Sequence, residues 1–229
     1  METLLSNPVR EFQLNRKSEY GVIKYSENLL DGTQVLAKRI LDIILSSLFL
    51  ILVASWLFPL IALLIKIDSN GPVFYKQLRD GQYNNKFLCF KFRTMSFDPS
   101  DDFKQATRND PRVTKVGAFL RKSSLDELPQ LINVLIGDMT IVGPRPHAIE
   151  MNVDCENKYE NYRLRHLVKP GITGLAQAKG YRGEILRNYD MKGRLKLDLF
   201  YIEKWNFFLD IRIIFMTIQG IIFNNDNAY

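Results

Sequence analysis

Residues 43–65 read I-I-L-S-S-L-F-L-I-L-V-A-S-W-L-F-P-L-I-A-L-L-I, a run of 23 residues without a charged side chain. A helix of that length, at about 1.5 Å per residue, is long enough to cross the apolar part of a bilayer. A buried core helix would give the same pattern, but helices that are apolar all round are rare in small soluble domains. The run also begins too late, and without a small-residue cleavage site, to be a secretory signal. It therefore predicts a membrane-embedded helix.

Basic residues flank this run on both sides, with Lys38 and Arg39 before it and Lys66 after it. Because basic residues beside a membrane segment tend to stay in the cytoplasm, both ends are expected on the same face. Pro59 lies inside the run, where its missing N–H leaves the carbonyl of Ser55 without a helical partner and should kink the helix. A re-entrant helix, which enters and leaves by one face, accounts for both features; a straight span is the alternative.

The remaining chain predicts an α+β, helix-rich fold. Two runs rich in β-forming residues, 73–78 and 86–95, are separated by Gly81 and Asn84-Asn85 and predict a small hairpin. Apolar residues at helical spacing predict further helices, the last of them amphipathic and lying on the membrane interface. These predicted helices cover residues 112–122, 128–135, 194–206 and 207–223.

The composition excludes a disordered chain, since 46% of the residues are hydrophobic and can form a core. The net charge of +6 indicates an anionic partner, and nucleic acid, anionic lipid and a phosphorylated substrate all fit it. Cys89 and Cys155 are too far apart for a metal-ligand pair and favour a reducing setting. His147 and His166 lack any serine, cysteine or metal motif around them, which favours structural roles. The chain has neither a P-loop nor a G-x-G-x-x-G motif.

The stretch S-S-L-D-E-L-P-Q at 123–130 places Asp126 and Glu127 side by side in a basic chain. Ser124 and Glu127 fit the capping box, in which the serine accepts an N–H three residues later and the glutamate reaches back. Pro129, which has no N–H, places the start of a helix close to Asp126. The pair is therefore a helix cap, a reaction centre, or both.

Several cations stand in patterns that suit phosphate binding. Arg145 lies between two prolines, so its backbone is held stiffly and its guanidinium is suited to bidentate phosphate contact. Lys91 and Arg93 alternate with phenylalanines on a predicted strand, so both cations face one way. Arg182 and Glu184 flank a glycine, which permits close approach of the backbone to a ligand. Each of these patterns also occurs on ordinary solvated surfaces.

Seven stretches together resemble the bacterial sugar transferases, the monotopic phosphoglycosyl transferases that start glycan assembly. They run in order, at compatible spacing, from Lys38 to near the C-terminus. The stretches are K-R-I-L-D-I-I-L at 38–45, G-P-V-F-Y-K-Q at 71–77, F-K-F-R-T-M at 90–95, S-L-D-E-L-P-Q at 124–130, G-D-M-T-I-V-G-P-R-P at 137–146, K-P-G-I-T-G-L-A-Q at 169–177 and L-D-L-F-Y-I at 197–202.

The resemblance implies transfer of a sugar-1-phosphate from a UDP-sugar to polyprenyl phosphate, such as undecaprenyl phosphate, with release of UMP. It implies that Asp126 is the nucleophile that forms a covalent aspartyl-phosphosugar intermediate, and that Glu127 works with Mg²⁺. Such enzymes act at the cytosolic face of the bacterial inner membrane, in the first membrane step of exopolysaccharide, capsule or O-antigen assembly. The residues that the same matching places around the site are Lys91, Arg145, Arg182 and Asp198.

The expected organisation is a polar extension over residues 1–37, a re-entrant helix over 38–67 and a membrane-associated cytosolic catalytic domain over 68–229. The expectation is the short, catalytic-core form of the family. Two departures bear on it. Members often carry Ser-Pro at the break in the helix, whereas this chain has Ser55-Trp56 and a later proline. The R-G-E loop is followed by Ile185 where related glucose- and galactose-type enzymes often have threonine, so the expectation of glucose or galactose rests on that loop alone.

Two other interpretations compete with the enzyme. A degenerate relative could serve as a membrane scaffold. The intact pair Asp126–Glu127 and the intact loop 144–146 around Arg145, called here the arginine loop, count against that role. A nucleic-acid-binding protein would need its cations on one face with interleaved aromatics, whereas here they belong to phosphate-type loops. No nucleic-acid partner is expected, and self-association is left open.

Overall fold

The computed structural model describes residues 26–97, 107, 110–181 and 188–223. Helix α1 spans Gly32–Phe49 and helix α2 spans Ser55–Asp68. A π-helical turn, Leu50–Ala54, joins them into one helix of 37 residues, called here the apolar helix. Asp31 caps its N-terminus by accepting the N–H of Thr33 at 2.9 Å.

The irregular turn in the apolar helix lies ahead of Pro59, which stays inside α2. The sequence placed the distortion at the proline and the Ser55 carbonyl, about one turn later than the structure does. A π turn widens the helix and withdraws carbonyls from their usual partners. Ser55 Oγ donates to the carbonyl of Ile51 at 2.8 Å, and Trp56 Nε1 donates to that of Leu52 at 3.0 Å. The side chains of Ser55 and Trp56 thus bond to carbonyls of the distorted turn.

The apolar helix is mostly uncovered by the rest of the protein. Within its most apolar window only 17% of the residues are buried, unlike a helix in a protein core. Ile51 and Ile67, for example, are 69% and 75% exposed. Within the described part of the chain it is the single helix long and apolar enough to cross a membrane, judged by length and composition.

The predicted hairpin is confirmed. Strands β1 (Phe74–Asp80) and β2 (Lys86–Phe92) pair antiparallel through a short turn. Phe92 stacks on Phe74 with ring centroids 5.3 Å apart, and Phe58 of α2 packs edge-on against Phe92 at 4.9 Å. The hairpin therefore packs directly against the second half of the apolar helix.

The rest of the described chain is mainly helical. Its helices are α3 (Lys115–Lys122), α4 (Gln130–Ile136), α5 (Ile149–Lys158), α6 (Leu175–Ala178), α7 (Asn188–Lys204) and α8 (Phe207–Phe223), with 3₁₀ turns at Leu125–Glu127 and Tyr162–Leu167. Strands β3 (Thr140–Val142) and β4 (Gly171–Thr173) form a parallel pair. The four predicted helices are present as α3, α4, α7 and α8, although α3 begins at Lys115 and α7 at Asn188 rather than at 112 and 194. The sequence did not predict α5, α6 or the β3–β4 pair. The largest buried cluster, around Trp205 and Tyr201, packs α7 and α8 against β3.

The first half of the apolar helix is attached to the C-terminal end of α4. Arg39 donates to the carbonyls of Val134 and Leu135, at 2.6 and 2.8 Å. Helix α4 stops at Gly137, which adopts a φ of +99° that favours glycine, and the Gly137 N–H also bonds to the Val134 carbonyl at 3.1 Å. The guanidinium thus adds donors at the last turn of α4, and its charge suits the negative end of the helix.

The same stretch is also attached to β3 and α8. The buried Asp42 carboxylate accepts hydrogen bonds from Thr140 Oγ1 at 3.0 Å and from the N–H of Ile141 at 2.9 Å. Lys38 forms an ion pair with the buried Asp210 at 2.5 Å. The K-R-x-x-D pattern at 38–42 therefore joins the apolar helix to α4, β3 and α8.

Candidate active site

The carboxylate pair lies in the 3₁₀ turn Leu125–Glu127, immediately after α3. Ser124, which precedes the turn, has a left-handed backbone (φ 57°) and its side chain caps nothing. The predicted capping box is therefore wrong. In the left-handed conformation the Ser124 hydroxyl does not reach the N–H groups of the turn, and the Glu127 carboxylate bonds to cations instead.

The α-helix that follows, α4, begins at Gln130 with Pro129 at the N-cap position. The expectation that Asp126 lies at the start of an α-helix is therefore corrected to a 3₁₀ turn one step earlier. Asn133 fixes α4 against the hairpin, since its amide donates to the Leu88 carbonyl at 2.7 Å and its oxygen accepts the N–H of Phe90 at 3.0 Å.

Two cations clamp Glu127. Lys91 Nζ lies 2.7 Å from Oε1, and Arg145 contacts both carboxylate oxygens, with NH1 2.8 Å from Oε2. Burial opposes ionisation of Glu127, but the charges of Arg145 and Lys91 outweigh it and hold its pKa well below the usual range. Glu127 is therefore a carboxylate under all ordinary conditions, and it holds the two cations in place beside Asp126.

Asp126 differs from Glu127 in its hydrogen-bond contacts and in the direction of its pKa shift. It is 9% exposed, and no hydrogen-bond donor among the described residues contacts its carboxylate. Burial raises the pKa of Asp126 to about 6, and the attraction of Lys91 only partly offsets that effect. Near neutral pH it is thus a poorly solvated carboxylate next to two cations. Such a group suits nucleophilic attack on an anionic centre, because the cations can neutralise the charge that gathers there.

The loop that carries Arg145 is held from behind by a buried ion pair. Arg165 Nε lies 2.8 Å from Asp198 Oδ2, and Arg165 NH2 donates to the Arg145 carbonyl at 2.8 Å. Both partners of the pair are about 2% exposed at their side chains. Asp198 thus joins the site through the Arg145 backbone, and its carboxylate is already bonded to Arg165.

The structure separates Lys91 from Arg93. Lys91 points to Glu127, whereas Arg93, just past the end of β2, donates to the backbone carbonyls of Ser69 and Asn70. The other two candidates, Arg182 and Glu184, lie outside the described residues.

Both histidines lie in buried hydrogen-bond networks. His147 Nδ1 is 2.6 Å from the hydroxyl of Tyr162, and His166 bonds to Asn84. Burial lowers the pKa of His147 well below its usual range, so it is neutral at physiological pH. Both contacts agree with the structural roles predicted for these side chains.

Sequence reasoning missed Arg165, because R-L-R-H carries no motif and the arginine acts through a buried long-range contact. It also gave no role to Arg79, which donates to the backbone of the arginine loop at Pro146. One signal for Arg79 lay in the pairing of the two strands. Arg79 is directly opposite the apolar Phe87, so the two side chains lie on the same face of the hairpin.

A divalent cation has a limited set of protein ligands here. Among the described residues no three acidic, histidine or cysteine side chains come together as a metal site. Mg²⁺ commonly uses one or two carboxylates and completes its coordination with water and substrate phosphates. The donors Asp126 and Glu127 fit that pattern, since Oε2 of Glu127 has one partner and keeps a lone pair.

Comparisons with known proteins identify the family. The family model for "Bacterial sugar transferase" matches residues 33–224. The chain is 48% identical over 210 residues to a UDP-glucose:undecaprenyl-phosphate glucose-1-phosphate transferase of Klebsiella pneumoniae, covering 91% of this chain and 44% of that protein. It is 43% identical over 232 residues to the undecaprenyl-phosphate glucose phosphotransferase of Komagataeibacter xylinus, covering 99% and 43%.

A shorter relative matches over most of both chains. The exopolysaccharide production protein PSS of Rhizobium leguminosarum bv. phaseoli is 45% identical over 186 residues, which are 79% of this chain and 92% of that protein. By contrast, the chain spans less than half the length of the two glucose-phosphate transferases. The matched region contains the apolar helix, the hairpin, the carboxylate pair and the arginine loop. The chain therefore belongs to the bacterial sugar transferase family.

Proposed function

We propose that this protein transfers a sugar-1-phosphate from a UDP-sugar to polyprenyl phosphate and releases UMP. The observation that carries the proposal is the contrast within the carboxylate pair. Asp126 is buried and has no hydrogen-bond donor among the residues that the structure describes, while Glu127 beside it binds Lys91 and Arg145. The names of the longer relatives describe transfer of glucose-1-phosphate between UDP-glucose and undecaprenyl phosphate, which is the same class of reaction.

In the first step an oxygen of the Asp126 carboxylate attacks the β-phosphorus of the UDP-sugar. The bond from that phosphorus to the bridging oxygen breaks, UMP leaves with the electron pair, and an aspartyl-phosphosugar remains. Lys91 and Arg145 lie where they can offset the negative charge of the diphosphate during attack. The pKa of Asp126, raised by burial to about 6, still leaves most of the nucleophile ionised at neutral pH.

In the second step an oxygen of polyprenyl phosphate attacks the same phosphorus and displaces the Asp126 carboxylate. The product is a polyprenyl diphosphate sugar, and the enzyme returns to its starting state. Division into two displacements lets a soluble and a lipid substrate react in turn at one carboxylate. We include Mg²⁺ in the proposal: Asp126 and Glu127 would hold it together with substrate phosphates, and it would neutralise phosphate charge. Arg93, Arg182, Glu184 and Asp198 remain predicted contributors to substrate binding.

The proposal also places the enzyme on the cytosolic face of the bacterial inner membrane, with the apolar helix re-entrant. Its support is that both ends of the helix pack on the same domain. Asp42 bonds to β3 near one end, and Ile61 and Ile65 pack against Leu120 of α3 near the other. The 19 residues from Asp42 to Ile61 would span about 28 Å if straight. One domain that holds both ends favours a helix that returns to the face it entered.

The reaction is tested by incubating the full chain with each of several UDP-sugars, undecaprenyl phosphate and Mg²⁺, and measuring UMP. We expect release with UDP-glucose or UDP-galactose and none from Asp126→Asn. Wild-type turnover in the Asp126→Asn variant would refute the nucleophile, and no release from the wild type with any UDP-sugar would favour the scaffold interpretation. A matched control is Asp154→Asn, an exposed aspartate on α5 that should leave activity unchanged.

Topology is tested by single-cysteine labelling in cells, because both native cysteines are buried. One reporter replaces Val35, which is 43% exposed ahead of the apolar run, and another replaces Ser69 just beyond α2. Both should be inaccessible to a membrane-impermeant reagent added outside the cell. Labelling of the Ser69→Cys protein alone would show a straight span and refute re-entrance.

A further inference from the structure

The loop 144–146 has an unusual way of fixing its backbone. Its two prolines have no N–H, so the loop is held through its carbonyl groups, and each of the three has a donor. The first accepts the N–H of Gly171 at 2.9 Å, the second accepts Arg165 NH2 at 2.8 Å, and the third accepts Arg79 NH1. Two of the three donors are therefore arginine side chains, from elements far apart in the sequence.

Arg165 is itself rigidly held. Its Nε bonds to Asp198 at 2.8 Å, and its NH1 lies 2.9 Å from the Tyr162 hydroxyl and 3.1 Å from His147 Nδ1. All three nitrogens of the planar guanidinium thus form hydrogen bonds, and NH2 is the one that bonds to the carbonyl of Arg145. Because Asp198, Tyr162 and His147 are buried, a shift of this guanidinium would break several bonds at once.

Arg79 performs the same task from the hairpin. Its NH2 bonds to Gln77 Oε1 at 2.9 Å, while NH1 reaches the carbonyl of Pro146. The hairpin is also the element that carries Lys91, the other cation on Glu127. Arg79 therefore connects the loop that carries Arg145 to the hairpin that carries Lys91, and both of these cations bind Glu127.

We infer that Arg79 and Arg165 are positioning residues that fix the Arg145 guanidinium on Glu127 by holding the carbonyls of its loop. Neither touches the carboxylate pair in the structure, and both act through the backbone of Arg145 and Pro146. A guanidinium that must meet both oxygens of Glu127 tolerates little displacement, because bidentate contact depends on the orientation of its plane. Small misplacements of catalytic groups can cost up to about 100-fold in rate.

The activity readout of this inference rests on the proposed function. We expect Arg79→Gln to lower kcat for UMP release roughly 10-fold and to change the KM for the UDP-sugar less than about threefold. Arg165→Lys keeps a charge for Asp198 but cannot form the fork, and should show a similar loss. Arg163→Gln, which removes a half-exposed arginine from the same 3₁₀ segment, is the matched control and should behave as wild type.

A double-mutant cycle separates positioning from a general structural role. In an Arg145→Ala background there is no guanidinium to position, so Arg79→Gln should lower kcat less than about twofold further. An undiminished 10-fold loss in that background, or a loss that lies mainly in KM, would overturn the inference and indicate direct substrate contact or general damage.

The four proteins of this cycle are the wild type, Arg79→Gln, Arg145→Ala and the double variant. Their melting temperatures give a readout that does not need turnover. Arg79→Gln should lower Tm more when Arg145 is present, because the contact of Arg145 with Glu127 is then weakened as well. Equal Tm shifts in both backgrounds would overturn the inference. If the wild type released no UMP, the proposed function would fall, and these Tm shifts alone would decide whether Arg79 acts through Arg145.

Discussion

Replacing Asp126 by asparagine should stabilise the protein while it removes the proposed nucleophile. Burial raises the pKa of Asp126 in the folded chain from 3.8 to about 6, so the folded state prefers the protonated side chain. The contribution of Asp126 to stability is therefore fully present below about pH 4 and is lost as the pH rises through about 6. Asparagine stays neutral throughout and avoids this loss.

The magnitude follows from the two pKa values. A difference of about 2 corresponds to roughly 3 kcal/mol above about pH 7, since each unit is worth about 1.4 kcal/mol. In a protein of this size 1 kcal/mol moves Tm by about 2–4 °C, so Asp126→Asn should melt about 6–12 °C higher near pH 8. Near pH 4 the melting temperatures of the two proteins should converge.

The assay is thermal unfolding in nanodiscs at a series of pH values, followed by tryptophan fluorescence. Trp205 is fully buried and reports the loss of the main core. The exposed Asp154→Asn serves as control and should show no pH-dependent difference in Tm from wild type. An Asp126→Asn protein that is no more stable than wild type near pH 8, or equally more stable at both ends of the series, would refute the argument.

Three further outcomes are expected. Glu127→Gln should lower Tm near pH 7, since its two cations lose their counter-charge; an unchanged Tm would contradict the clamp. Gly117→Ala should destabilise the fold by about 1–3 kcal/mol in chemical denaturation, because the new Cβ would lie 2.6 Å from the carbonyl carbon of Thr94 and still closer to its oxygen; wild-type stability would contradict that packing. Asp42→Ala should cost about 1–3 kcal/mol in the same assay by leaving the N–H of Ile141 unpaired; a change below about 0.5 kcal/mol would speak against this attachment.

Elements with a repeated pattern could be predicted from the sequence. The apolar run, the hairpin and α7 extend over enough residues for their periodicity to be read. Strands β3 and β4 have three residues each, which is too short for any period, and their pairing joins residues 31 positions apart. The π turn at Leu50–Ala54 was missed for another reason: Pro59 signals a missing donor but does not say which turn of the helix adjusts.

The candidate site was predictable in its charges and less so in its geometry. Lys91, Arg145 and the carboxylate pair do come together, but the backbone at Ser124 contradicts the cap that its sequence suggests. A local pattern could not show this, because Glu127 is bound by side chains from 36 and 18 residues away. Arg165 was missed for the same reason, since buried contacts across the chain leave no local signature.

The attachment of the apolar helix also bears on how the protein can be divided. The apolar helix ends at Asp68, yet Arg39 and Asp42 near its start supply hydrogen bonds to α4 and β3. A chain trimmed at that position would expose the end of α4 and a backbone N–H of β3 without donors or acceptors to meet them. The apolar helix is thus a structural part of the fold rather than a detachable segment, and excising it should yield an incompletely folded product.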